Sequence, residues 1–186
     1  MAQYFEEPVA RLLRRLKVTP NAVTAIGLLV TAAAAYLASQ DLLFYAGIVL
    51  LLASVMDMLD GALARLTNRA GPFGAVLDSV ADRLGEAVLL LGLVVFYLDR
   101  DDKAAVLLVF AVLVSSFIVS YLRARGEGVG IAMKESGLVT RVERVLIMVL
   151  GLLTGWVVQA LVVLLAASAV TASQRLRHIW RQTREV

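Results

Sequence analysis

The sequence predicts an all-α, polytopic membrane protein of six transmembrane helices preceded by a short interfacial amphipathic helix. Three observations predict it. Of 186 residues, 60% are hydrophobic, and apolar runs of membrane-spanning length recur along the chain, more apolar surface than a soluble domain of this size could bury. The alternation of a barrel strand is absent while Leu, Ala and Val dominate, and in lipid only helices or a closed barrel satisfy their own peptide groups. Finally, with a cytoplasmic N-terminus, only Arg100 and Lys103 of the 18 Lys and Arg fall outside cytoplasmic segments, as the positive-inside rule requires.

The elements follow in order. Over residues 4–17, Phe5, Val9, Leu12, Leu13 and Leu16 share one helical side with basic residues opposite, the pattern of a helix lying in the interface; a plain basic lead-in to a span would look similar. No apolar core stands before a small-residue cleavage site, so no cleavable signal is expected. Residues 1–18 are thus read as a juxtamembrane segment, and 19–186 as one six-helix transmembrane domain. Pro20, with Thr19 or Asn21 beside it, is helix-entry chemistry, and the first span is expected over 22–38. Gln40 and Asp41 turn the chain into the second span, 42–66. Thr67, Asn68, Gly71 and Pro72 form the next loop, and the third span covers 73–98. A charged turn over 99–103 leads into the fourth span, 104–123. A long polar loop (123–141) and the fifth span (142–153) come next. Thr154, Gly155 and Trp156 reverse the chain into the sixth, which ends in a basic tail beginning at Gln174.

Six spans put both termini on one side, so a multi-pass protein of the cell membrane is expected, with termini and active site cytoplasmic. There is no cysteine, which excludes disulfides, a thiolate metal site and a cysteine nucleophile. The net charge is only +3, and no nucleic-acid partner is expected. Trp156 and Trp180 read as interface anchors, and His178, the single histidine, as a residue that meets lipid headgroups.

Four carboxylates break the apolar pattern: Asp57, Asp60, Asp78 and Asp82. An aspartate at bilayer depth costs at least about 2.5–3.5 kcal/mol, so each is a functional candidate. Asp57, Asp60, Gly61, Ala64 and Arg65 fall on one helical stripe, and Gly74, Asp78 and Asp82 on a stripe of the next helix. A short loop joins the two helices, so they are antiparallel neighbours whose stripes can face each other. Asp57 then lies roughly 12 Å inside the cytoplasmic end of its helix, and the four acids converge near that interface.

Clustered carboxylates cannot all ionise without a cation, and an oxygen-only ligand set selects magnesium, manganese or calcium. Gly61 and Ala64 leave room for a phosphorylated group to approach the backbone, and Arg65 is suited to holding a phosphate. Two other readings exist. Pairing with Arg65, Arg69 and Arg83 would need fewer acids than four on two facing stripes, and an ion conduit would spread them through the membrane. A divalent-cation transporter is the alternative from a different functional class.

These eight residues match a family signature. The pattern D-x2-D-G-x2-A-R-x8-G-x3-D-x3-D is met at Asp57, Asp60, Gly61, Ala64, Arg65, Gly74, Asp78 and Asp82, and the chain resembles the CDP-alcohol phosphotransferases over nearly its whole length. The resemblance implies two metal ions, usually Mg2+ with Mn2+ possible, bound by Asp57, Asp60, Asp78 and Asp82. It implies Asp82 as the general base, and Asp57, Gly61, Ala64, Arg65, Gly74 and Asp78 around the CDP-lipid, either CDP-diacylglycerol or CDP-archaeol. It also implies a homodimer. Where the family often has Ser or Thr, Gly71 lacks a hydroxyl. Glu86 continues the Gly74–Asp78–Asp82 stripe, as a support to the site or as a packing residue.

For the acceptor, the cationic residues away from the motif matter: Arg123 and Arg125, Arg141 and Arg144, Arg175 and Arg177. Arginine at a cytoplasmic helix end also follows from topology alone. The stretches SYLRARGE, RVERVLIMVLG and QRLRHIW, however, resemble corresponding segments of the phosphatidylinositol phosphate synthases and their archaeal counterparts within that family. That resemblance implies Arg123, Arg144 and Arg175 around the phosphate of inositol phosphate, with weaker roles for Arg125 and Arg141. The first position is often lysine in the bacterial enzymes. Glycerol 3-phosphate, giving phosphatidylglycerophosphate, is the alternative acceptor.

Overall fold

The computed structural model describes residues 19–66, 71–133, 137 and 139–184, apart from the side chains at 60, 61, 64 and 65. The interfacial helix expected over 1–18 lies outside the described residues. Six α-helices and no strand occur among those described: α1 Pro20–Ser39, α2 Leu43–Leu66, α3 Pro72–Leu98, α4 Lys103–Gly128, α5 Arg141–Thr154 and α6 Val157–Gln182. By length and composition, α1, α4 and α6 are each apolar and long enough to cross a membrane.

Local chemistry explains most boundaries. Thr19 caps α1, its hydroxyl accepting from the Ala22 amide at 3.3 Å, and Pro20 occupies the first turn, where its missing N–H costs nothing. Asp41 (φ 65°) and Asp101 (φ 53°) take left-handed conformations in the two short turns, which Asp adopts more readily than most residues. Asp102 caps α4 by accepting from the Ala105 amide at 2.9 Å. At the start of α5, the Glu143 carboxylate accepts from the Thr140 amide at 2.8 Å, closing a capping box. Gly155 (φ 75°) ends α5 in the left-handed region and lets the chain double back into α6.

Two helices outlast their expected ends. α4 continues through Arg125 and Gly126 to Gly128 instead of stopping at Arg123, because the following loop folds back and covers it. A Cβ on Gly126 would stand 2.7 Å from the Met133 sulfur, and Met133 is fully buried there. α6 carries the basic tail as helix as far as Gln182, with no Gly or Pro after its start to interrupt it.

The chain forms two compact units, Met1–Gly92 and Leu93–Val186. In the first, α1 packs along α2, and α3 meets α1 almost backbone to backbone at Gly92, where a Cβ would lie 2.3 Å from the Ala35 carbonyl oxygen. Ala34, Ala35, Ala38, Ala46 and Ala53 fill this core, the small-residue packing that brings membrane helices close in the absence of a hydrophobic drive between them. In the second, α6 packs against both α4 and α5, with Gly151 seated on Ala160. Large apolar residues such as Leu29, Phe73, Leu107, Phe110 and Leu150 point outward in both units.

Candidate active site

The acidic site is built by α2 and α3. Asp57 sits near the middle of α2, and Asp78 and Asp82 one turn apart on α3. The three are half-buried, and each offers one carboxylate oxygen such that all three oxygens lie within 4.8 Å of one another. Asp60, Gly61, Ala64 and Arg65 are in α2, with side chains outside the description.

Three carboxylates this close repel by about 3 kcal/mol per pair at an effective dielectric constant of about 20. Arg83 Nη2 is 3.6 Å from Asp82 Oδ2, an ion-pair contact longer than a hydrogen bond. An all-oxygen cluster at this spacing fits a hard divalent cation, with Asp57, Asp78 and Asp82 as ligands. Gly74 fits the same picture: it is half-buried on α3, yet no described atom would lie within 4 Å of a Cβ placed there. Among the described residues its missing side chain serves no helix contact, which suits the close approach of a bound group to the backbone. Glu86, one turn beyond Asp82, is half-buried on the same helix.

The cationic candidates belong to the second unit and separate into two kinds. Arg123 and Arg125 are exposed on the last turns of α4, and Arg123 Nε donates to Glu127 at 3.0 Å. Arg141, at the first position of α5, is half-buried. Arg144 and Arg175 are buried, each 9% exposed. Arg144 donates from Nη2 to the Ser116 hydroxyl, and Arg175 donates from Nη1 to the Val119 carbonyl at 2.6 Å. Since Ser116 and Val119 are three residues apart, the two guanidinium groups, from different helices, converge on one face of α4.

Three residues the sequence did not flag are buried in the same unit, and one of them, Ser116, holds Arg144. Ser116, Ser168 and Thr171 are buried with the two arginines, and these five are the buried polar residues among those described. Ser116 stands four residues before Ser120 and seven before Arg123, a polar stripe in an apolar helix that was the available signal. His178 has a role in the fold that the sequence did not show: its Nε2 meets the Ala132 carbonyl at 3.1 Å and ties the chain after α4 to α6.

The family model for CDP-alcohol phosphatidyltransferases matches residues 17–173. The chain belongs to this family. Among curated relatives, the chain is 39% identical over 185 residues to a phosphatidylinositol phosphate synthase of Corynebacterium glutamicum, covering 94% of this chain and 84% of that one. It is also 39% identical over 141 residues to an archaetidylinositol phosphate synthase of Pyrococcus horikoshii, covering 76% of this chain and 72% of that one. The fold is similar to crystal structures of the phosphatidylinositol phosphate synthase of Mycobacterium tuberculosis. One, with CDP-DAG bound, matches at a TM-score of 0.85 and 32% identity over 94% of this chain and 93% of that one. Another holds manganese and citrate, with the same score and identity.

Proposed function

We propose that this chain is a membrane-embedded, divalent-metal-dependent phosphotransferase that joins a CDP-activated lipid to inositol phosphate and releases cytidine monophosphate. The observation that carries the reading is the convergence of Asp57, Asp78 and Asp82, one oxygen from each within 4.8 Å of the others, in a chain of this family. A hydroxyl of inositol phosphate attacks the lipid-side phosphorus of the donor. The new P–O bond forms as the anhydride bond to cytidine monophosphate breaks, and the hydroxyl proton passes to the Asp82 carboxylate, the general base.

Asp57, Asp60, Asp78 and Asp82 would hold two Mg2+ ions, or Mn2+ in their place. Bound, the ions supply charge neutralisation at the diphosphate. Gly61, Ala64, Arg65 and Gly74 would line the donor's nucleotide, with Asp57 and Asp78 beside it. Arg144 and Arg175 would hold the acceptor phosphate, with Arg123 completing the set by leaving Glu127, and Arg125 and Arg141 at its edge. Six transmembrane helices, cytoplasmic termini and a cytoplasmic active site complete the topology. The working form is a homodimer, and the donor is CDP-diacylglycerol or CDP-archaeol.

Purified protein given Mg2+, CDP-diacylglycerol and an acceptor panel tests this through cytidine monophosphate release. Inositol phosphate should support turnover well above glycerol 3-phosphate, inositol or serine. Preference for glycerol 3-phosphate would reassign the acceptor, and cation flux without nucleotide chemistry would remove the enzyme reading.

A further inference from the structure

A buried hydroxyl beside Arg175 has no hydrogen-bonding task among the described residues. Thr171 is 1% exposed on α6, one helical turn before Arg175 on the same face. A buried Ser or Thr on a membrane helix commonly gives its proton to the carbonyl four residues back. Ser173, two residues along, does so to Ala169 at 2.9 Å. The Thr171 Oγ1 finds no hydrogen-bond partner among the described residues. Leaving a buried hydroxyl unsatisfied is unfavourable, whereas a methyl group of the same shape would be tolerated at no cost. Threonine is therefore the wrong residue for packing alone.

Its orientation is set by Gly137 in the α4–α5 loop. At φ 125° Gly137 holds a backbone conformation that other residues rarely adopt. A Cβ there would stand 2.7 Å from the Thr171 methyl, 3.3 Å from Arg175 Nε and 3.5 Å from Arg175 Nη2. The bare glycine thus lies against the Thr171 methyl and the Arg175 guanidinium together. His178 and Met133 pin the loop that carries it.

We propose that Thr171 is a further acceptor-binding residue: its hydroxyl donates a hydrogen bond to the phosphate held by Arg175, and Gly137 is the positioning residue that seats both side chains. This rests on the reading of Arg175 as an acceptor-phosphate ligand. A hydroxyl satisfied only by substrate explains why an unfavourable group is kept in an apolar bundle.

The test compares Thr171→Val, Thr171→Ser and Arg175→Ala in full-length protein, measuring KM for inositol phosphate, KM for CDP-diacylglycerol and thermal unfolding. Thr171→Val keeps shape and removes only the hydroxyl. It should raise the inositol phosphate KM roughly tenfold or more, leave the CDP-diacylglycerol KM unchanged and unfold at the same or a higher temperature. Thr171→Ser should restore the acceptor KM. A normal acceptor KM in Thr171→Val, with a raised one in Arg175→Ala, overturns the proposal and leaves the acceptor site standing. A normal KM in Arg175→Ala overturns the acceptor site and the proposal with it. A Thr171→Val defect that serine does not rescue assigns the role to packing and also overturns it.

Discussion

Arg144 donates from its guanidinium to the hydroxyl of Ser116 across 28 positions of sequence, and both side chains are buried. A hydrogen bond to a charged group in such a place contributes about 1.5–3 kcal/mol. Ser116→Ala removes the acceptor and leaves a guanidinium proton to find another. Unfolding in detergent should show a loss of that size, and the KM for inositol phosphate should rise while that for the CDP-lipid holds. An unchanged acceptor KM would detach Arg144 from the acceptor site.

The acidic cluster makes a prediction about charge. Asp82→Asn keeps the shape of the side chain and deletes a proton acceptor. Cytidine monophosphate release should fall by about 10²–10⁴-fold, the range associated with a general base. Thermal unfolding of the metal-free protein should not drop, because one source of repulsion beside Asp57 and Asp78 is gone. Turnover near the wild-type rate would place the base elsewhere.

Metal removal follows from the same cluster. A chelator should stop turnover, and Mg2+ or Mn2+ should restore it. Asp57→Asn should shift the metal concentration needed for half-maximal activity upward by tenfold or more, in the range typical of a weakened metal site. Activity indifferent to chelation would rule out the cation at Asp57, Asp78 and Asp82.

Two glycines on α3 should respond oppositely to the same substitution. Gly92→Ala places a Cβ 2.3 Å from the Ala35 carbonyl oxygen, forcing α1 and α3 apart at a cost of about 1–3 kcal/mol. Gly74→Ala meets no described atom within 4 Å and should leave stability unchanged or raise it by about 0.5–1 kcal/mol. Its effect should fall on the CDP-lipid KM, which should increase. Thermal unfolding and donor kinetics on the two variants separate packing from binding.

Much of this site was legible because helical periodicity is local. Asp78 and Asp82 are four residues apart on one helix, so their shared face follows from the backbone repeat, and the short loop between residues 66 and 72 makes α2 and α3 sequence neighbours. Asp60, Gly61, Ala64 and Arg65 extend the acidic stripe of α2 by their spacing. The cationic residues are another matter. Arg123, Arg144 and Arg175 look alike in sequence, each a basic residue near a helix end. The fold exposes the first against Glu127 and buries the other two on Ser116 and Val119. Composition carries no sign of that difference, since burial depends on which faces of α4, α5 and α6 meet.

By itself, the sequence determined the helical class, the apolar spans, the acidic stripes and the family signature. Each rests on residue type and spacing along one or two adjacent helices. Only the tertiary structure decided that Gly126 supports a longer α4 under Met133, that His178 fastens a loop, and that Gly137 lies against Thr171 and Arg175. Those contacts join residues far apart in sequence, and a loop's path is set by what it packs against, not by its own residues. The buried hydroxyl of Thr171, without a hydrogen-bond partner among the described residues, belongs to this second kind, because an unmet hydrogen bond exists only once every neighbour has its place.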